Sequence, residues 1–271
     1  MSFNSKKQLI SFLAEDIGKG DITSALLAKK KITVKIISRE KAIVAGVIHA
    51  KEIFKLKGCT SKILKKDGSK VNPNGTIMTI TGDAAKILMC ERTALNLLTR
   101  MSGIATQTNF LVKKIPSKTK LYATRKTAPG LRYFDKEAVE IGGGKKHRLR
   151  LDEMVMIKDN HIAIHDSLEE LITKAKRKHK KFEVEVENIS DVTLAAKSGA
   201  GIIMLDNFTP SQIKKAIQTL KNQKLRNKVL LEASGGINEK NIVTYGKTGV
   251  DIISVGSITN SVKGIDMSLE I

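Results

Sequence analysis

Basic side chains follow directly on two short apolar runs near the middle of the chain. Residues 121–124 (LYAT) lead into Arg125 and Lys126, and residues 154–157 (MVMI) lead into Lys158. Such runs are typical of strands buried on both faces of a parallel sheet, where functional groups collect at the carboxyl ends. More basic residues lie between the two runs: Arg132, His147 and Arg148. The spacing predicts an anion-binding site at the carboxyl edge of a sheet.

Carboxylates lie on the next two predicted strands. In residues 182–187 (FEVEVE), Glu183, Glu185 and Glu187 share one face, and Asp206 follows the strand pattern of residues 202–205. A buried carboxylate without a partner is costly, so the pattern requires either Lys and Arg side chains or a divalent ion nearby. Two hard oxygen ligands beside a phosphate suit Mg²⁺.

Glycines follow the last two predicted strands. Ser234, Gly235 and Gly236 come after one strand, and Gly256 and Ser257 come after the other. Glycine lets backbone N–H groups approach a phosphate closely, and the loops after the late strands of a barrel are the usual phosphate position. Each cluster alone could simply be a tight turn, but together they favour phosphate binding.

The elements that must position these residues follow from the periodicity. From residue 121 onward, six strand patterns alternate with amphipathic segments, which predicts an incomplete βα barrel, with an open doubly wound sheet as the alternative. The first half predicts a small antiparallel α+β domain with a turn at Pro73-Asn74-Gly75. Residues 84–115 predict one long helix, interrupted near Ser102-Gly103 and ended by Pro116. We therefore expect domains at residues 1–115 and 116–271.

The composition is that of a globular protein. Of the 271 residues, 41% are hydrophobic, and no apolar run approaches the ~20 residues that cross a bilayer. The start of the chain lacks the apolar core of a signal peptide. Cys59 and Cys90 are not spaced as a metal-binding pair, so we expect reduced thiols. A soluble, cytoplasmic protein without a membrane partner is expected.

The formal net charge of +21 is compatible with nucleic acid, a membrane surface or small acidic substrates as partners. The densest basic run, residues 174–181 (KAKRKHKK), ends an amphipathic helical pattern, where cations are favourable. A solvated helix face is the better interpretation, and contact with a polyanion is the alternative. Aromatic residues are only 4% of the chain, too few for the stacking platforms of single-strand binders.

Motifs along most of the chain resemble those of quinolinate phosphoribosyltransferase, also called nicotinate-nucleotide pyrophosphorylase (carboxylating). In the second half they are TRKTAPGLR (124–132), GGGKKHR (142–148), IKDNH (157–161), EVEVE (183–187), MLDNF (204–208), LEASGG (231–236) and ISVGSIT (253–259). In the first half they are EDIGKGDITS (15–24) and ERTALNLLTRMSGIAT (91–106). The chain departs from the family pattern at Lys146, where Asn usually stands, and at Asn260, where many relatives have His.

The resemblance implies an N-terminal α/β sandwich and an incomplete (open) α/β barrel of the type II phosphoribosyltransferase kind, in a homodimer whose subunits share the active site. By motif match, the two carboxylates of quinolinate would be held by Arg92 of the partner subunit, Arg125, His147, Arg148 and Lys158. Lys126 and Lys158 would serve the phosphates of phosphoribosyl pyrophosphate, and Glu185 and Asp206 the ribose and Mg²⁺-pyrophosphate. The ribose phosphate would lie on Ser234, Gly235, Gly236 and Gly256. Thr124 and Ser257 are further candidates for substrate binding, and Lys126, Glu185 and Asp206 are the candidate catalytic residues.

The activity implied is transfer of phosphoribosyl to quinolinate with decarboxylation, a step of NAD biosynthesis that requires Mg²⁺. A nicotinate phosphoribosyltransferase or a ModD-like transferase of the same fold is the alternative. From another class, a basic polyanion-binding protein would explain the charge but not the acidic strand ends.

Overall fold

The computed structural model describes residues 4–165 and 167–271. In chain order the elements are α1 (Ser5–Ile17), β1 (Lys31–Ser38), β2 (Ala42–Ile43), α2 (Val47–Leu56), β3 (Thr60–Ile63), β4 (Lys70–Val71), β5 (Gly75–Asp83), α3 (Ala84–Val112), β6 (Lys120–Ala123), α4 (Arg132–Ile141), β7 (Val155–Ile157), α5 (Asp159–His165), α6 (Leu168–Lys178), β8 (Phe182–Val186), α7 (Ile189–Ser198), β9 (Ile202–Asp206), α8 (Pro210–Asn222), β10 (Leu230–Ser234), α9 (Ile242–Gly246), β11 (Ile252–Val255), α10 (Ser257–Asn260) and β12 (Met267–Glu270). Within the described residues, no helix is both long and apolar enough to cross a membrane.

The chain forms two compact units that are interleaved along the sequence. One comprises Met1–Asn109, Thr127–Gly143 and Ile258–Ile271, and the other comprises Phe110–Lys126 and Gly144–Ser257. This grouping differs from a single division after residue 115. The reason is that the last strand, β12, pairs antiparallel with β1, and that Asp135 of α4 accepts hydrogen bonds from Arg100 at 2.7 and 2.9 Å.

The first unit is built on a four-stranded antiparallel sheet in the order β12-β1-β5-β3. The turn predicted at Pro73-Asn74-Gly75 is confirmed: Asn74 takes a positive φ of 61°, and the turn leads into β5, which pairs antiparallel with β3. Helices α1 and α2 contribute the buried residues Leu9, Leu13, Val47, Ala50, Ile53 and Phe54. The unit is an α/β sandwich, as expected.

The long helix is confirmed as α3, but the predicted interruption near Ser102-Gly103 is wrong. The Ser102 hydroxyl accepts a hydrogen bond from the N–H of Ala45 at 3.0 Å, so the serine serves a contact outside the helix. At Gly103, an added Cβ would lie 2.2 Å from the carbonyl oxygen of Lys263. Glycine is therefore present because another segment approaches the helix backbone closely.

The second unit is built on a six-stranded sheet in the order β6-β11-β10-β9-β8-β7, and each pair in it is parallel. The chain passes from β6 at one edge to β7 at the other, and then returns strand by strand to β11 beside β6. In a closed barrel this order would be circular, so the sheet is an incomplete barrel whose gap lies between β6 and β7. A doubly wound sheet would instead reverse its order at an internal switch point.

Candidate active site

A cavity of about 400 Å³ opens at the carboxyl ends of these parallel strands. The predicted site residues that line it are Thr124, Arg125, Lys126, His147, Arg148, Lys158, Glu185, Asp206 and Ser234. The lining residues that were not predicted are Ala123, Met156, Met204, Glu232 and Ser254. Side chains from all six strand ends therefore meet in one volume, which is the arrangement expected of a barrel.

The other predicted site residues are not part of this lining. Gly235 and Gly236 directly follow Ser234, and Gly256 and Ser257 directly follow β11. Arg92 is exposed on α3. The roles predicted for these five residues remain predictions.

A lysine and a glutamate form an ion pair in the cavity wall. Ile157 of β7 is in register with Val184 of β8, so Lys158 and Glu185, the next residues, lie side by side. The Lys158 ammonium donates a hydrogen bond to Oε2 of Glu185, whose side chain is 10% exposed. The prediction that the buried carboxylates of this strand require cationic partners is confirmed for Glu185. Glu187, at the end of the same alternation, is exposed.

The ends of β9 and β10 are joined by Asn207. Asp206 is in register with Ser234, and the backbone N–H of Asn207 donates to the Ser234 carbonyl at 3.0 Å. The Asn207 side-chain amide donates to Oδ2 of Asp206 at 2.8 Å, which orients the carboxylate. A Cβ at Gly235 would lie 2.2 Å from Oδ1 of Asn207. Only glycine therefore lets the two strand ends approach this closely.

A histidine and two carboxylates form a buried cluster at the wall of the cavity, which His147 and Glu232 line. Nε2 of His147 lies 3.1 Å from Oε2 of Glu183 and 3.5 Å from Oε2 of Glu232, and both glutamates are 0% exposed. Glu232 also accepts a hydrogen bond from the Ser254 hydroxyl at 2.6 Å. Burial opposes the charged imidazolium, but the two facing carboxylates outweigh it and raise the pKa of His147 to about 9. Burial raises the pKa of Glu183 as well.

Two arginines supply the guanidinium groups of the cavity. Arg148 is only 9% exposed, and its Nη1 donates to the Met154 carbonyl at 2.9 Å. Burial and the nearby Arg125 lower the pKa of Arg148. Nε of Arg125 is buried and has no hydrogen-bond partner among the described residues. Because buried donors are nearly always satisfied, this group is available to an acceptor in the cavity.

Glu232 is the functional candidate that sequence reasoning missed. It lies inside an apolar strand pattern, VLLEAS, where a charge is as unusual as those in FEVEVE. The charge within this apolar run is itself a signal of a functional residue. The neighbouring Ser234, Gly235 and Gly236 predict phosphate binding, and that prediction assigned no role to Glu232. The pairing of Glu183 with His147 was also not predicted, since no local pattern relates residues this far apart in sequence.

The His147 cluster makes stability depend on pH. A histidine whose pKa is raised to about 9 in the folded state stabilises the fold fully below its unfolded pKa of ~6.5, and the stabilisation is lost as pH rises through about 9. We expect the free energy of unfolding to fall by on the order of 2–3 kcal/mol more between these pH values in the wild type than in His147→Gln. Urea unfolding of both proteins across this range measures the difference, and equal pH slopes would contradict it.

Comparison with known proteins agrees with this geometry. The family model described as Quinolinate phosphoribosyl transferase, C-terminal domain, matches residues 104–270, and the N-terminal domain model matches residues 21–102. A probable nicotinate-nucleotide pyrophosphorylase (carboxylating) of Methanocaldococcus jannaschii is 46% identical over 275 residues, covering 98% of this chain and 96% of that protein. The protein of the same description from Methanothermobacter thermautotrophicus is 44% identical over 265 residues, covering 94% and 95%.

A solved structure is also similar to this chain over nearly its full length. The nicotinate-nucleotide pyrophosphorylase from Francisella tularensis is 41% identical and superposes with a TM-score of 0.92, covering 98% of this chain and 95% of that one. The similarity therefore extends along nearly the full length of this chain and of each of these proteins. The chain belongs to the quinolinate phosphoribosyltransferase family.

Proposed function

We propose that this chain transfers the phosphoribosyl group of phosphoribosyl pyrophosphate to the ring nitrogen of quinolinate and releases CO₂. The products are nicotinate mononucleotide, CO₂ and pyrophosphate. The observation that carries this proposal is the cavity in which Arg125, Arg148 and Lys158 face the carboxylates Glu185 and Asp206. The relatives described above are named for the same reaction.

The arginines suit an acceptor with two carboxylates. A planar carboxylate binds best to the forked donors of a guanidinium, and Arg125 and Arg148 both line the cavity. The orphaned Nε of Arg125 is a donor that an incoming carboxylate would satisfy. His147 and Lys158 add to the same cationic wall.

The carboxylates of Glu185 and Asp206 are suited to stabilise charge on the ribose ring. When pyrophosphate leaves the anomeric carbon, positive charge develops on the ribose ring, and fixed carboxylates nearby stabilise it. Glu185 is held by Lys158, and Asp206 is held by the amide of Asn207, so neither must reorganise during the reaction. Lys126 and Lys158 would stabilise the departing phosphates, and no covalent enzyme intermediate is required.

The loops after β10 and β11 suit the ribose phosphate. Ser234 lines the cavity, and the space around the Cβ position of Gly236 is open. Backbone N–H groups beside glycine can therefore approach a phosphate at Ser234, Gly235, Gly236, Gly256 and Ser257.

Magnesium fits the donor set of the cavity. Glu185 and Asp206 offer hard carboxylate oxygens at neighbouring strand ends, which is the ligand type that Mg²⁺ prefers. When bound, the ion would neutralise charge on the pyrophosphate leaving group.

Decarboxylation follows from the chemistry of the acceptor. Attack by the ring nitrogen makes a pyridinium, and the bond to the adjacent carboxylate then breaks, leaving its electron pair on the ring carbon as CO₂ departs. The positive nitrogen stabilises that electron pair, and a proton completes the product. The protein's contribution is to hold the dicarboxylate against the sugar and to exclude water.

The test of this function is a steady-state assay of the purified protein with phosphoribosyl pyrophosphate, Mg²⁺ and either quinolinate or nicotinate. We expect turnover with quinolinate and little with nicotinate, because nicotinate leaves half of the cationic wall unpaired. Turnover of nicotinate without quinolinate would refute the assignment.

The dimer with a shared pocket is also a proposal, supported by the exposed Arg92 in a matching motif. Arg92→Ala and Glu185→Ala should each be inactive, and mixing them should restore activity at roughly a quarter of the sites, since half of the dimers are mixed and each has one intact pocket. Mixing should be done by refolding both variants together. Failure to recover activity would argue against a shared pocket.

We also propose that the protein is located in the cytoplasm. Cys59 and Cys90 are both free and buried, which suits a reducing compartment.

A further inference from the structure

Glu183 and Glu232 form a buried cluster with His147, and the proposed reaction assigns no role to either glutamate. Glu183 stands on β8 and Glu232 on β10, with β9 between them in the sheet. The ring of His147 lies within ion-pair distance of both, at 3.1 and 3.5 Å. A single side chain in the cavity wall thus links two carboxylates that are two strands apart.

This arrangement is energetically expensive. Two fully buried carboxylates destabilise a fold strongly unless they are paired. Among the described residues, Nε2 of His147, both oxygens of Glu183 and Oε2 of Glu232 have no hydrogen bond of ordinary geometry, so the contacts between them are ion pairs. Ser254 serves only the other oxygen of Glu232. Nε2 of the His147 ring is therefore the group that these carboxylates face.

Other contacts also hold the ring of His147 in place. Nδ1 accepts the backbone N–H of Arg148 at 2.8 Å, and the ring of Tyr122 from β6 meets it edge-on at 5.6 Å between centroids. His147 has a positive φ of 52°, which is uncommon outside glycine and is kept only where surrounding contacts require it. The charged and titratable groups around the ring are thus Tyr122, Arg148, Glu183 and Glu232.

The surroundings of the His147 ring determine which of its two nitrogens carries a proton. With two carboxylates at Nε2, the proton remains on Nε2, and Nδ1 is the nitrogen that changes state. Without a proton, Nδ1 accepts from Arg148, as seen here. With a proton, it gives up that contact and becomes a donor for an anion in the cavity.

We infer that Glu183 and Glu232 are positioning residues of the acceptor pocket: they hold His147 by Nε2 and so keep its other nitrogen, and the adjoining Arg148, in place to receive a carboxylate of the substrate. This inference rests on the proposed function, because it assigns a role to two buried acids that contact His147 in the proposed quinolinate-binding wall.

The kinetic test uses Glu183→Gln and Glu232→Gln, which preserve shape and remove charge. Each should raise KM for quinolinate by about 10- to 100-fold while KM for phosphoribosyl pyrophosphate stays within about twofold. The matched control is Glu187→Gln, which changes an exposed glutamate at the end of the same alternation and should alter neither constant. Equal losses for both substrates would overturn the inference, since they would indicate a general structural role.

The coupling test repeats both changes in a His147→Gln background. If the carboxylates act through His147, each should then add less than about twofold, because the ring they position is gone. Effects that multiply independently would overturn the inference.

The closing experiment does not depend on turnover. Nitrogen NMR of histidine-labelled protein, with the His147 signals identified by their loss in His147→Gln, should show that the neutral ring of the wild type, above the midpoint of titration, carries its proton on Nε2. In the double variant Glu183→Gln/Glu232→Gln the midpoint of titration should fall by at least about one pH unit. An unchanged midpoint would overturn the inference even if quinolinate is the substrate, whereas a shifted midpoint in a protein that does not turn over quinolinate would refute only the proposed function.

Discussion

Replacing Arg148 with alanine is expected to lower kcat/KM for quinolinate by about 10²–10³-fold, because removing one partner of a buried charge pair costs about 2–5 kcal/mol. Arg148 is 9% exposed and lines the cavity, so its guanidinium is desolvated before substrate arrives. A water molecule in its place would not provide the forked donors that a carboxylate prefers. Steady-state kinetics with each substrate varied measures the loss.

The matched control for this prediction is Arg150→Ala. Arg150 is two residues away, and its side chain is 50% exposed and pairs with Asp152 at 2.9 Å on the surface. Exposed pairs of this kind contribute at most about 1 kcal/mol, so we expect kinetics within about twofold of the wild type. Circular dichroism should show that both variants are folded. An unaffected rate in Arg148→Ala would remove Arg148 from the site.

Alanine at Gly235 is expected to destabilise the protein by about 2–4 kcal/mol and to lower kcat/KM with it. The new Cβ would lie 2.2 Å from Oδ1 of Asn207 and 2.7 Å from its backbone nitrogen. Asn207 would have to move, and with it the hydrogen bond that orients Asp206. Urea unfolding and steady-state kinetics measure the two effects.

Gly236→Ala separates this clash from backbone strain. Both glycines have positive φ, 90° at Gly235 and 61° at Gly236, but no atom of the described residues, apart from Gly236 and its chain neighbours, lies within 4 Å of the Cβ position at Gly236. Alanine there should lose only about 1 kcal/mol, the cost of the left-handed conformation. Equal losses at the two positions would contradict the role assigned to Asn207.

Much of the barrel could be predicted because its signals are local. Strands buried on both faces appear as short apolar runs, and the residue after each run lies at the same edge of the sheet. That reasoning alone brought Arg125, Lys158 and Asp206 to one cavity. It also predicted that the carboxylates of FEVEVE need partners, and Lys158 is one of them.

The rest could not be predicted because it depends on contacts between segments far apart in sequence. No pattern in residues 267–270 shows that β12 pairs with β1. Ser102 and Gly103 look like a helix breaker until the segments that contact them, at Ala45 and Lys263, are known. Glu232 carried a local signal, a charge within an apolar run, but its partner His147 is far away in sequence, so its role could not be assigned.

The central claim is that one cavity brings a dicarboxylate and an activated sugar phosphate together and couples transfer to loss of the carboxylate next to the ring nitrogen. The most direct measurement follows quinolinate labelled with ¹³C in that carboxylate, in the presence of phosphoribosyl pyrophosphate and Mg²⁺, and counts labelled CO₂ and pyrophosphate in the same reaction. We predict equal amounts of the two, with no label in the nucleotide product. Pyrophosphate released without labelled CO₂, or label retained in the product, would contradict the account.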